Sequence, residues 1–326
     1  MKKWIFILSG LLAIQLILTA AVTLTGEDYE AFQAEEKLLS FDKKEVDGLR
    51  IEDGTDSVSL KKQEGKWLLP ESGDFPANQS SVEQLLGNLA TLKKGWPVAK
   101  TRSALRRFKV DEEQFERKLV LLSGDEAQAT LYVGTSPGFR KVHIRPANGD
   151  EVYAVMFNTW DAAAKADEWI DKDVLTLEES DLDRVEIPGV VLHWKDGKPK
   201  VADLGEKEQT NEKESRSLLG KLTKLRIQSV LGTEIKPEYR QDEPALEVKI
   251  TRKGGEVLNY RFSKSEDASY YILKRSDLDH YFKVAEYTLN PIKETTREKL
   301  VQATSEETSS EPTGDKGVEK KSSARP

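Results

Sequence analysis

Residues 134–138, Gly-Thr-Ser-Pro-Gly, satisfy the G-x-S-x-G spacing that can present a serine nucleophile for acyl transfer. That chemistry needs a strand before the motif and a helix after it, so that the serine hydroxyl stands exposed at the helix start. A β-like run (TLYVG) precedes Ser136, but a second (RKVHIR) follows, and Gly, Ser and Pro together are turn chemistry. The expectation is a turn between two strands. The three histidines, His143, His193 and His280, each sit alone in an alternating run, and no H-E-x-x-H is present. They read as surface or half-buried strand residues. The acidic cluster Glu178, Glu179, Asp181 and Asp183 lacks the glycine and terminal glutamate of a calcium loop and reads as a solvated linker. Trp67, Trp160, Trp169 and Trp194 read as core or domain-junction residues rather than a sugar platform. No cysteine is present, so thiolate catalysis and cysteine metal sites are excluded, and no P-loop or G-x-G-x-x-G occurs. No catalytic, cofactor-binding or metal-ligating residue is assigned, and no cofactor is expected.

The elements that would position any site begin with an apolar run. Lys2 and Lys3 precede an uncharged stretch from Trp4 to Gly26, and Glu27, Asp28 and Glu30 follow it. As a helix this stretch spans roughly 34 Å, enough for a hydrocarbon core of about 30 Å. The positive-inside rule then places the N-terminus in the cytoplasm and the rest outside. A cleaved signal peptide is the competing reading, with Thr19-Ala20-Ala21 as the small-residue site. The apolar run is longer than a signal core and favours an uncleaved anchor over residues 1–26. The chain carries 57 acidic and 50 basic side chains, a net charge of −7, which argues against a nucleic-acid binder.

Residues 27–44 read as a charged stalk and residues 302–326 as a disordered polar tail, the latter without an aromatic or large aliphatic anchor beyond one valine. Between them, LLGNLATLK (85–93) and LLGKLTKLR (218–226) share five of nine positions. Val82, Leu85, Leu86, Leu89 and Leu92 form one apolar stripe at helical spacing. Ser80 with Glu83 has the pattern of a capping box, and Asn211 with Glu214 stands similarly before the second helix. Each helix is preceded by a short β-like run and a hairpin, turning at Glu64-Gly65 or Asp196-Gly197, and is followed by further alternating runs. The expectation is an α+β fold of two tandem repeats, 45–177 and 178–301, each a mostly antiparallel sheet with a packed amphipathic helix.

The strings VDGLRI, VSLKKQEGKWLLP, PANQSSVEQLLGNLATLKK, FKVDEEQFERKLVLLSG and WIDKDVL, in this order, resemble the domain-of-unknown-function 4340 family. The likeness covers most of 45–177; the second half is looser, lacks a tryptophan equivalent to Trp67 and diverges after HYFKV. The resemblance implies a membrane-anchored extracytoplasmic bacterial protein, found in some members beside gliding-motility-type ABC transport systems. It carries no catalytic residues over. The functional expectation is a non-enzymatic accessory or scaffold protein of the inner membrane, docking onto a membrane complex such as an ABC-transporter permease. The alternative is a ligand-binding protein or envelope hydrolase with a cleft between the repeats.

Overall fold

The computed structural model describes residues 10–16, 19, 36–264 and 268–304. Most of the expected anchor, Trp4–Gly26, lies outside the described residues. Residues 10–16 are helical, and among the described residues no helix is long and apolar enough to cross a membrane. The protein is α+β, with mostly antiparallel sheets and few helices. It divides into two compact units, Met1–Val174 with Gln228–Glu234, and Leu175–Ile227 with Ile235–Pro326.

The first unit's strands are β1 (Gly48–Glu52), β2 (Ser57–Gln63), β3 (Lys66–Leu69), β4 (Phe75–Pro76), β5 (Pro97–Ala99), β6 (Arg117–Ser123), β7 (Glu126–Val133), β8 (Lys141–Pro146) and β9 (Val152–Met156). They form one sheet in the order β4-β3-β2-β1-β6-β7-β8-β9-β5. Alternation decides which face is buried. Leu49, Ile51, Val58, Leu60, Leu119, Leu121, Leu131 and Val133 fall on one face through the pairings Ile51↔Val58, Ile51↔Leu119 and Leu119↔Leu131. Helix α1 (Gln79–Thr91) covers part of that face with Val82, Leu85, Leu86 and Leu89, each about 1.5–3 kcal/mol when fully buried.

The cap of α1 is Asn78, whose side chain accepts from the Ser81 amide at 3.0 Å. Ser80 and Glu83 do not form the expected capping box. Glu83 instead accepts from Trp67 Nε1 at 3.2 Å and pairs with Lys43 at 2.7 Å. The hydrogen bond from Lys43, then that from Trp67, hold its carboxyl below the usual range despite partial burial. Three neighbouring polar residues, Asn78, Gln79 and Ser80, compete for the cap. Gln79 is drawn off by Trp67, accepting from its amide at 2.8 Å and donating to its carbonyl at 2.9 Å.

The opposite face has its own small core. Helix α2 (Arg102–Arg107) and the following residues lay Leu105 and Val110 over Tyr132 and Val152. The expected stalk is also partly core. Residues 27–35 lie outside the described residues, but from Glu36 onward the chain packs on this unit: the Leu38 amide donates to the Leu92 carbonyl at 2.8 Å, and Leu38, Leu39 and Val46 are buried.

The remaining strands are β10 (Leu182–Ile187), β11 (Val190–Lys195), β12 (Lys198–Val201), β13 (Glu208–Thr210), β14 (Ser229–Val230), β15 (Leu246–Arg252), β16 (Val257–Ser263), β17 (Tyr270–Arg275), β18 (Tyr281–Ala285) and β19 (Val301–Ala303), all but β14 in the second unit. The main sheet runs β12-β11-β10-β15-β16-β17-β18-β14, and β13 pairs with β19 separately. Gln302 and Ala303, expected in the polar tail, therefore belong to a strand; residues 305–326 lie outside the described residues. Helix α3 (Glu212–Thr223) is capped by Asn211, which accepts from the Glu214 amide at 3.3 Å, and buries Leu218, Leu219 and Leu222. After β18 the chain forms a further helix, α4 (Glu286–Lys293), which packs on β17, β18 and α3 and buries Leu289 and Ile292.

The last strands of the two sheets run in step. Val133↔Ile144 corresponds to Phe262↔Leu273, Ile144↔Tyr153 to Leu273↔Phe282, and Val142↔Val155 to Tyr271↔Val284. Every pair is displaced by the same 129 residues along the chain.

Candidate functional site

A nine-stranded sheet with strands about 4.8 Å apart is roughly 38 Å wide, whereas a helix with its side chains is about 10 Å across. Helix α1 therefore leaves part of its face of the first sheet open. Beside its C-terminal end lies a groove of about 930 Å³. The floor is Val142 on β8, its partner Val155 on β9, Phe157 and Leu92, all nearly buried. The rim is not buried: Met156 is 58 % exposed and Trp160 84 %.

Trp160 is expected in the core or at a domain junction and is found outside. After β9 the chain returns across the sheet as a 3-10 helix, Thr159–Ala162, which packs on β6 and α1 and buries Ala162 while leaving Trp160 outside. The turn is held by Asn158, which accepts from the Trp160 amide at 3.2 Å and donates to Asp161 at 2.8 Å, while Asn88 of α1 donates to Asp161 at 3.4 Å. This network turns the Trp160 ring outward. Trp67 and Trp169 are buried as expected, and Trp194 is half-buried on β11.

Lys93, Arg140 and Lys141 line the groove. None has a carboxylate within salt-bridge distance among the described residues, and no carboxylate lines the groove there. This local excess of positive charge lies on a chain whose net charge is −7. Arg140 belongs to a tight turn, Gly138 to Lys141, whose central residues Phe139 and Arg140 have φ of +54° and +59°. Two-residue hairpin turns of this hand are usually Asn-Gly, because other side chains clash with their own backbone there. Phe139 is 95 % exposed, so no burial compensates the strain. Strained, solvent-facing side chains of this kind cluster at functional sites.

The G-x-S-x-G string ends at this turn and explains it chemically. Ser136 Oγ donates to the Lys141 carbonyl at 2.7 Å and accepts from the Gly138 amide at 3.1 Å, tying the loop together. Gly134 is required by close approach, since a Cβ there would lie 1.9 Å from the Phe108 carbonyl oxygen. His143 is buried and stacked on Phe108 at 4.0 Å, with Nδ1 3.0 Å from Thr135 Oγ1. Its desolvation lowers its pKa and favours the neutral ring. Ser136 and His143 are thus each engaged elsewhere and form no nucleophile–base pair.

His193 lies half-buried on β11, paired with Arg184 and Lys200, and the His280 ring lies 6.3 Å from Phe282. No group of three or more His, Asp or Glu that could hold a metal occurs among the described residues. The acidic cluster is surface ion pairing: Glu179 meets Arg216 and Asp181 meets Arg252, both at 3.2 Å.

Two buried arginines escaped the sequence reading. Arg145 lies over the Tyr132 ring at 4.6 Å and donates to the Val110 carbonyl at 2.8 Å. Arg275 lies over Tyr260 at 5.6 Å and is paired with Asp277 at 2.6 Å. Both are structural clasps, and a lone arginine in an alternating run gives no sign of burial. A second hollow of about 660 Å³ in the second unit is lined by charges that satisfy one another, Arg261 with Glu247 and Lys249 with Glu186. The groove of the first unit is the better candidate, because its cations and aromatic rim face solvent unmatched.

A family model described as a domain of unknown function, DUF4340, matches residues 67–244, more than half of the chain and all of the groove. No curated protein and no solved structure matches.

Proposed function

From the premise that the chain belongs to the DUF4340 family, we propose that it is a membrane-anchored extracytoplasmic docking protein of a cell-envelope complex, of ABC-transport type. Residues 1–26 are its anchor, and residues 45–177 and 178–301 are two copies of one module. The first copy holds a partner polypeptide in the groove between Leu92 and Trp160. The observation that carries this reading is the groove itself: an apolar floor, an exposed Trp160 and Met156, and three unmatched cations. Exposed apolar surface bordered by polar groups marks interaction sites on soluble surfaces.

Duplication is supported by the common spacing of 129 residues in the last strands and by the paired caps Asn78 and Asn211. The anchor is supported by the uncharged run from Trp4 to Gly26 behind two lysines.

The test is affinity purification of the tagged full-length chain from detergent-solubilised membranes, beside a W160A/M156A variant and a deletion of residues 45–301 that keeps the first 44 residues. An inner-membrane complex should accompany the full-length chain, be depleted with the groove variant and be absent with the deletion. Equal recovery with all three would refute the docking role. Because the chain has no cysteine, a single S103C substitution labelled by a membrane-impermeant maleimide reads out topology. Labelling only after membrane rupture to the cytoplasmic side would refute the extracytoplasmic placement.

A further inference from the structure

We infer that the groove of the first unit receives an amphipathic helix of the partner, with an apolar i, i+3 pair on Val142 and Val155 and carboxylates toward Lys93, Arg140 and Lys141. The inference deepens the docking reading and rests on it.

The second unit shows what this position accepts. Tyr271↔Val284 is the pair that corresponds to Val142↔Val155, and there α4 lies on β17 and β18 beside α3. It buries Leu289 and Ile292, an i, i+3 pair, and Tyr271 Oη donates to Asn290 Oδ1 at 3.3 Å. The acid at its start, Glu286, pairs with Lys264 at 2.8 Å. By the same spacing Trp160 corresponds to Leu289, yet Trp160 faces solvent while Leu289 is fully buried. The second unit lays its own helix over this pair, whereas in the first the chain passes on over β6 as a 3-10 helix and leaves a groove beside Val142, Val155 and Trp160.

Charge agrees with this occupant. Three cations without a carboxylate select an acidic-faced helix, as Lys264 selects Glu286 in the second unit. An added strand fits less well. Pairing with β5 already occupies β9 at Val152 and Tyr153, leaving only Ala154–Met156, shorter than the usual strand.

The test places the photocrosslinker p-benzoylphenylalanine at Met156 of the full-length chain in the cells that make it. A control carries it at Tyr287, an exposed position on α4. Adducts are mapped by mass spectrometry, and co-purification of the complex is scored in the same samples. The expected adduct at Met156, missing at Tyr287, lies in a partner segment with apolar residues at i, i+3 and Asp or Glu on its flank. Adding R140E/K141E should lower its yield about tenfold with the melting temperature unchanged. Adducts only to lipid, to a second copy of this chain, to its own residues 27–35 or to a partner segment without that pattern would overturn the helix. If the complex still co-purifies in that case, the docking reading stands without the helix. If nothing co-purifies, both fall.

Discussion

Replacing Phe139-Arg140 by Asn-Gly should stabilise the first unit while weakening its docking. Both residues hold left-handed φ values, and an ordinary side chain there costs about 1–2 kcal/mol per residue. The turn thus stores about 2–4 kcal/mol. Asparagine tolerates this region, and glycine adopts it freely at the expense of about 0.5–1 kcal/mol in unfolded-chain entropy. Little else is lost, since the Phe139 ring is exposed and Arg140 makes no ion pair among the described residues, while the backbone bonds Lys141 N–H to Gly138 and Phe157 N–H to Arg140 survive. The net gain is about 1–3 kcal/mol, and 2 kcal/mol corresponds to about 4–8 °C for a unit of this size. Thermal unfolding followed by tryptophan fluorescence reports mainly the first unit, because Trp67 and Trp169 are buried there and the second holds Trp194 alone; a Trp194→Phe background removes that contribution. Crosslinking through Met156 should fall in the same variant, which has lost Arg140 and the exposed ring. An unchanged or lower melting temperature would refute the strained turn, and full crosslinking in a stabilised variant would show that the strain does not serve docking.

Two further outcomes follow from the caps and the ion pairs. Asn78→Ala and Asn211→Ala each remove the acceptor for a helix-start amide and should cost about 1 kcal/mol, in the first and second unit respectively, measured by urea unfolding. Glu208 is held at about 2, below its usual 4.5, chiefly by the Arg297 guanidinium and also by the Gly205 amide. Since the folded value is the lower one, the pair stabilises the protein above about 4.5 and loses that contribution as pH falls toward 2. The melting temperature of Glu208→Gln should therefore lie below that of the parent at pH 7, the two converging toward pH 2. A constant gap across that range would contradict the pairing.

Much of the fold was legible because alternation is a direct record of burial. The runs LVLLS, ATLYV, LEVKIT and VLNYRF are strands where their pattern puts them, and the leucine stripes of α1 and α3 are buried. Local competition was less legible. Asn78, Gln79 and Ser80 are all plausible caps, and the choice depends on Trp67, which lies next to α1 in space and not in sequence. The second face of the first sheet was hidden too, because Leu105 and Val110 come from a basic segment with no stripe of its own. The groove was the least legible feature. Its existence depends on the path the chain takes after β9, and neither NTWDA nor EYTLNPIK announces that one crosses to β6 as a single 3-10 turn and the other stays on its last strands as an eight-residue helix.

The ends of the sheets bear on how the protein behaves in numbers. Each sheet is open rather than closed, and its outermost strands are β4 and β5 in one, β12 and β14 in the other. All four are short, from two to four residues, and β4, β5 and β12 carry Pro76, Pro97 and Pro199. A proline offers no N–H to a neighbouring chain, and a two-residue ladder cannot hold one. Seventeen strands are thereby gathered into two open sheets whose terminal strands are poor templates for further growth. Edges of this kind disfavour the fusion of neighbouring copies into one continuous sheet.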